Sequence, residues 1–144
     1  MPDPATLIRV PGLAPAPYAY AAVVPGARLV FTAGACPLDA AGDTVCPGDV
    51  AGQAEQVMAN LTAALAAAGA GLADVVRTTV YVASAERADL VTVWNVVRAG
   101  FGDHDPPSTL LGVAVLGYPD QLVEVEAVAV VDPPAPAGEA AGAC

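Results

Sequence analysis

The sequence contains no lysine. Its basic residues are five arginines, Arg9, Arg28, Arg77, Arg87 and Arg98, set against 15 acidic residues for a formal charge of −10. The missing lysine excludes a Schiff-base or lysine general-base enzyme. Scattered arginines on an acidic chain form no basic stripe, which argues against nucleic acid and against an anionic membrane surface. Histidine occurs once, at His104, and the three cysteines, Cys36, Cys46 and Cys144, show no CxxC or Cys/His ligand spacing. A zinc site and a disulfide framework are therefore not expected. Aromatics make up only 5% of a chain that is 56% hydrophobic, so a core must come from Val, Leu and Ala. No run reaches the roughly 18 apolar residues that span a bilayer. The N-terminus "MPDPATLIRVPG" has neither the basic nor the apolar region of a signal peptide, so the expected address is the cytoplasm.

What the sequence does contain is the length and patterning of one domain. Residues 1–132 are expected to form it, and the Pro/Ala/Gly-rich residues 133–144 a disordered tail. The segments 20–24 and 28–34, split by "PGA", read as a β-hairpin. Asp49 is placed to cap a helix from Val50, in which Val50, Ala54, Val57, Leu61, Leu65 and Ala68 form one apolar face; Gly69 or Gly71 ends it. Residues 74–83 alternate as a strand, with Val76, Thr78, Val80 and Val82 on one face. Ser84 is placed to cap a second helix, whose face is Leu90, Val93, Trp94 and Val97. Segments 109–116 and 122–131, joined by the turn "GYPD", complete an α+β fold: one mixed sheet with two helices on one face. The strands are apolar on both faces, so the uncovered face calls for burial against further copies of the chain.

Candidate chemistry concentrates near two segments. Glu124 and Glu126 share a strand face with Val128 and Val130, which suits general acid/base work or, alternatively, an ion pair with Arg77 or Arg28. The segment "HDPPSTLLGV" offers His104 between two aspartates, read as either an acid/base group or an exposed loop residue. Cys36 is either a pocket thiol or a small buried hydrophobe. Trp94 sits at core spacing and has the bulk to shape a cleft. No serine or cysteine has an identifiable base, so a hydrolase triad is not supported.

The runs "APYAYAAVVPGARLVFTAG", "QAEQVMANL", "AGAGLADVVRTTVYV" and "PPSTLLGVAVLG…LVEVEAVAVV" together resemble the RidA family, also called YjgF/YER057c/UK114, over residues 14–131. The resemblance implies a chorismate-mutase-like (YjgF-like) fold assembled as a homotrimer, with small-molecule clefts between subunits. It also implies hydrolysis of 2-imino and 2-enamino acids without metal or cofactor. Carried over by motif, Tyr18 lines the pocket, Glu124 positions water, and Ala33-Gly34 matches the family's Ser-Gly. Ala35 and Cys36 depart from the polar–apolar pair common there, and Trp94 falls near a position often polar. The main departure is Ser108, in "PPST", where the family's "PARS" motif has its carboxylate-clamping arginine. A hydroxyl gives one neutral hydrogen bond in place of a bidentate charged clamp. Thr109 and the backbone N–H of Leu110 remain as donors. The expectation is a cofactor-free enzyme with Glu124 and Tyr18 catalytic, and with Ser108, Thr109, Leu110, Gly34, Ala35, Cys36 and Trp94 binding substrate. Its substrate would be an imine, enamine or carbonyl compound other than the small 2-imino acids, in a specialised or secondary-metabolic pathway. Hydrolysis, tautomerisation and cyclisation all stay open. So do a non-catalytic ligand-binding trimer and a 2-iminobutanoate/2-iminopropanoate deaminase that manages without the arginine.

Overall fold

A computed structural model describes residues 6–16, 20–24, 26 and 28–131, with the side chain of Val24 left out. Tyr18, Cys144 and the tail expected over 133–144 lie outside the described residues. The elements run β1 (Thr6–Ile8), β2 (Ala21–Val24), β3 (Leu29–Thr32), α1 (Val50–Ala67), β4 (Val75–Val82), α2 (Arg87–Phe101), β5 (Ser108–Gly112) and β6 (Val123–Val130), with one 3₁₀ turn at Leu72–Asp74. The strands form one sheet in the order β1-β2-β3-β6-β4-β5. Only β4 and β5 are parallel, joined through α2; the other pairs are antiparallel, so the sheet is mixed. This is the expected α+β architecture, with both helices contributing to one core against one sheet face.

The β6 strand shows how the faces divide. Val123, Val125, Ala127 and Ala129 point into the core and are at most 3% exposed, while Glu124, Glu126, Val128 and Val130 point the other way. Opposite them on β4 stand Tyr81, Thr79 and Arg77. The uncovered face carries apolar side chains too: Leu7, Phe31, Leu111 and Val130 are all more than two-fifths exposed. It is thus a mixed surface, apolar toward β3 and polar along the middle of β4 and β6.

Three expectations need correction. The strict alternation of β4 fails at its start, because a bulge lies between the Val75–Ala129 and Arg77–Val128 pairs. The extra residue puts Val75 into the core at 1% exposed and turns Val76 out at 44%. Ser84 does not cap α2. That helix starts at Arg87 with Glu86 as its flanking residue, while the Ser84 hydroxyl donates to Asp89 Oδ2 at 2.6 Å. The strand expected over 109–116 ends at Gly112, and Val115 beyond it is 78% exposed.

The first helix forms as its sequence dictates. Asp49 accepts the Gly52 N–H at 3.0 Å, and Gly69, at φ +83°, supplies the left-handed residue that stops the helix. Its buried face is not wholly apolar, since Gln53 and Asn60 are 0% and 8% exposed. Gln53 donates to the carbonyls of Cys46 (3.3 Å) and Asp120 (2.9 Å) and accepts the Leu122 N–H at 2.7 Å. Asn60 donates to the carbonyls of Cys36 (2.8 Å) and Leu38 (2.9 Å). Both amides therefore tie loops to the helix, and those loops flank Glu124.

Candidate functional site

Glu124 sits at the start of β6, where the strand leaves the loop Gly117–Leu122. Across from it the chain passes from β3 into Ala33-Gly34-Ala35-Cys36, held by paired hydrogen bonds between Ala35 and Val125. Between these segments lies an open hollow of about 310 Å³, lined by Ala33, Gly34, Cys36, Gly117, Tyr118, Gln121 and Glu124. Glu124 lies directly over Gly34. A Cβ at that position would stand 2.6 Å from Glu124 Cδ and closer still to Oε1, so only glycine leaves room for the carboxylate.

The carboxylate is held from two sides. Gln121, 4% exposed, donates to Glu124 Oε2 and to the Val123 carbonyl, each at 3.1 Å, and accepts the Tyr118 N–H at 3.0 Å. The Cys36 thiol, which donates to the Gly34 carbonyl at 3.5 Å, stands on the other side and favours the ionised form of Glu124. Burial pushes the Glu124 carboxyl above its ordinary range. The Gln121 hydrogen bond opposes that push, the Glu126 charge adds to it, and the Cys36 thiol opposes it again. A carboxylate so placed is a stronger base than one in water. Glu126 is occupied differently: it accepts the Tyr81 hydroxyl at 2.8 Å, which raises the Tyr81 pKa, with burial as the second cause. The groups that bear on Glu124 are an amide, a thiol and a second carboxylate, where an ion pair would need Arg77 or Arg28.

The other candidates fall elsewhere. Ser108 opens β5 opposite Thr78, on the helix side of the sheet, and its hydroxyl pairs with the Thr78 hydroxyl and donates to the Pro106 carbonyl at 3.2 Å. It borders a second hollow of about 320 Å³ with Trp94, Arg98, Phe101, His104 and Asp105. His104 there meets the Val75 carbonyl through Nε2 at 2.6 Å, which ties the loop to the β4 bulge. Thr109 is exposed opposite Thr79, while Leu110, Trp94 and Ala35 pack against or within the core. Cys36 is 7% exposed in a small cluster with Ala14 and Leu38, and Tyr118 packs on that cluster. Within one chain, then, Gly34, Cys36 and Glu124 come together, and Ser108 and Trp94 lie apart from them.

Sequence reasoning missed Gln121 and Tyr118, which complete the Glu124 hollow, and Gln53 and Asn60, which fix its walls. A polar residue on the apolar face of α1 was the readable signal for the latter pair. For Gln121 no pattern in the turn "GYPDQ" singles it out. Among the described residues no group of three or more His, Cys, Asp or Glu is placed to hold a metal, and no helix is long and apolar enough to cross a membrane.

Residues 12–131 match the family model described as endoribonuclease L-PSP. A protein DfrA from Myxococcus xanthus is 36% identical over 114 residues, 79% of this chain and 85% of that one. The 2-iminobutanoate/2-iminopropanoate deaminase of Escherichia coli is 36% identical over 106 residues, 72% of this chain and 80% of the enzyme. Among solved structures, the YjgF gene product of Escherichia coli superposes with a TM-score of 0.72 at 34% identity, covering 87% of this chain and 97% of that one. The chain belongs to the endoribonuclease L-PSP family, the same YjgF/RidA family that its motifs resemble.

Proposed function

We propose that the protein is a cofactor-free enzyme that uses Glu124 to activate water or move a proton on an imine, enamine or carbonyl compound. The observation that carries this reading is the Glu124 carboxyl. It lines an open hollow, its pKa is raised by burial, and a buried amide holds it in place. In imine hydrolysis, Glu124 takes a proton from water as the water oxygen bonds to the C=N carbon and the electron pair moves to nitrogen. Proton return to nitrogen and collapse of the carbinolamine break the C–N bond, releasing ammonia or an amine and a carbonyl product.

Substrate choice follows from the lining. None of the described residues around the hollow is cationic, so a substrate carboxylate there would face Glu124 without compensation. Ser108 stands where the family motif has its arginine, and the loss of a charged clamp costs roughly 1–3 kcal/mol per contact. An uncharged or iminium-bearing substrate suits this site better than a small 2-imino acid. The deaminase reading is supported by the name that several relatives, 34–36% identical, carry. A purely ligand-binding role predicts an arginine neutralising Glu124 and a closed cleft, and neither feature is present among the described residues around the hollow. The ribonuclease reading in the family description meets a chain of charge −10 without lysine.

Ser108 and Glu124 flank β4 on opposite faces, so a site that used both would draw them from two copies. The homotrimer of the family reading supplies such a junction, and the apolar part of the uncovered sheet face is the surface it would bury. The test is ammonia release from freshly generated imines of graded size and charge. The wild type should turn over at least one uncharged imine, and Glu124→Gln should lose about a hundredfold or more of that rate. An equal rate in the variant would remove Glu124 from the mechanism.

A further inference from the structure

We propose that Gln121 is a positioning residue: its amide holds Glu124 by Oε2 and leaves Oε1, which lies over Gly34 at the hollow, as the oxygen that meets the substrate. This deepens the reading of Glu124 as the working carboxylate and rests on it. The geometry is that of a built clamp. Gln121 is 4% exposed, and both ends of its amide are used. The carbonyl oxygen accepts the Tyr118 N–H at 3.0 Å, which fixes the orientation of the amide. The amide nitrogen then divides its donors between the Val123 carbonyl and Glu124 Oε2, each at 3.1 Å. A side chain anchored to backbone on both sides and lent to a neighbouring carboxylate orients that carboxylate.

The clamp is also where loop and strand meet. Gln53 fixes the same loop from α1 through the Asp120 carbonyl and the Leu122 N–H. A chain of buried amides, Gln53 to the loop and Gln121 to Glu124, therefore runs from the helix layer to the reacting carboxyl. Around Glu124 the titratable neighbours are Glu126 on its own strand, Tyr81 on β4, Cys36 after β3 and Tyr118 in the loop. Gln121 is the neighbour whose hydrogen bond does most to favour the ionised form of Glu124, ahead of Cys36.

The experiment titrates Glu124 directly, by carbon-detected NMR of the side-chain carboxyl in the substrate-free protein, assigned through Glu124→Gln. Gln121→Leu removes the donor, and Gln121→Glu keeps the shape and the acceptor for Tyr118 while placing a second carboxyl against the first. Glu124 should titrate at higher pH in Gln121→Leu than in wild type, and as a coupled pair in Gln121→Glu. The acid limb of kcat/KM on the imine that wild type accepts should move to higher pH with it. At the optimum kcat should fall by about tenfold to a hundredfold while KM changes little. Should Gln121→Leu fail to fold, Gln121→Glu decides alone. Titration curves in folded variants that superpose on wild type would overturn the proposal. A moved titration with an unmoved rate profile would keep the clamp and instead refute Glu124 as the base.

Discussion

Gly34 and Glu124 form the tightest functional pairing in the molecule. Because a Cβ at position 34 would displace the carboxylate, Gly34→Ala should leave the fold cooperative while lowering imine turnover by about a hundredfold. Circular dichroism and ammonia release would separate the two effects. Glu124 also couples activity to stability. Its folded pKa lies above the ordinary 4.5, so the folded state binds this proton more tightly than the unfolded chain does. The stability it contributes is fully present below the ordinary value and is lost as pH rises through the folded one. Glu124→Gln should therefore melt higher than wild type at pH 8, and the difference should shrink as pH falls toward 4. Melting curves across that range that run parallel would show that the group is not held in the way its surroundings indicate. Of the expected site residues, Gly34, Cys36 and Glu124 line one hollow; a family motif marks Gly34 and Glu124 in the sequence, while Cys36 stands out as a departure from that motif. Tyr18 lies outside the described residues, so its part in the site remains a proposal.

At the scale of elements, the helices do more than cover the sheet. Asn60 on α1 donates to two carbonyls of the segment that carries Cys36, and Gln53 ties down the loop that carries Gln121 by donating to the Asp120 carbonyl and accepting the Leu122 N–H. Asn60→Ala removes a donor from each carbonyl, leaving that of Cys36 with the Leu38 N–H at 2.9 Å, and should cost about 1–3 kcal/mol. A urea titration should show that loss, and turnover should drop further than stability alone explains, because the Cys36 wall is loosened. Periodicity made α1 and its Asp49 cap readable, together with β4, β6 and the hairpin of β2 and β3. It did not reveal the β4 bulge, which depends on pairing with Ala129 and Val128 rather than on local pattern. Nor did it show where β5 stops, since "GVAVL" is as apolar as a strand but finds no continuous partner beyond Val82. Side-chain amides that satisfy distant loops leave only a faint trace in sequence, a polar residue on an apolar face.

At the scale of the whole molecule, one chain brings together three of the nine expected site residues, Gly34, Cys36 and Glu124. The hollow with Glu124 and the hollow beside Ser108 lie apart within the chain, and the proposed assembly is what would bring them together. Sedimentation at micromolar concentration should give a trimer, and Phe31→Arg, which places a charge on the uncovered sheet face, should shift it toward monomer with loss of turnover. A wild-type monomer would refute the assembly. The central claim is that this member of the family has exchanged a carboxylate-clamping site for one that takes uncharged or iminium substrates. The most direct measurement is the ratio of kcat/KM for a bulky uncharged imine to that for 2-iminopropanoate, in wild type and in Ser108→Arg. Wild type should favour the uncharged imine, and Ser108→Arg should shift the ratio toward 2-iminopropanoate by about tenfold to a hundredfold. A wild type that already prefers 2-iminopropanoate, with a ratio unmoved by the arginine, would contradict the account.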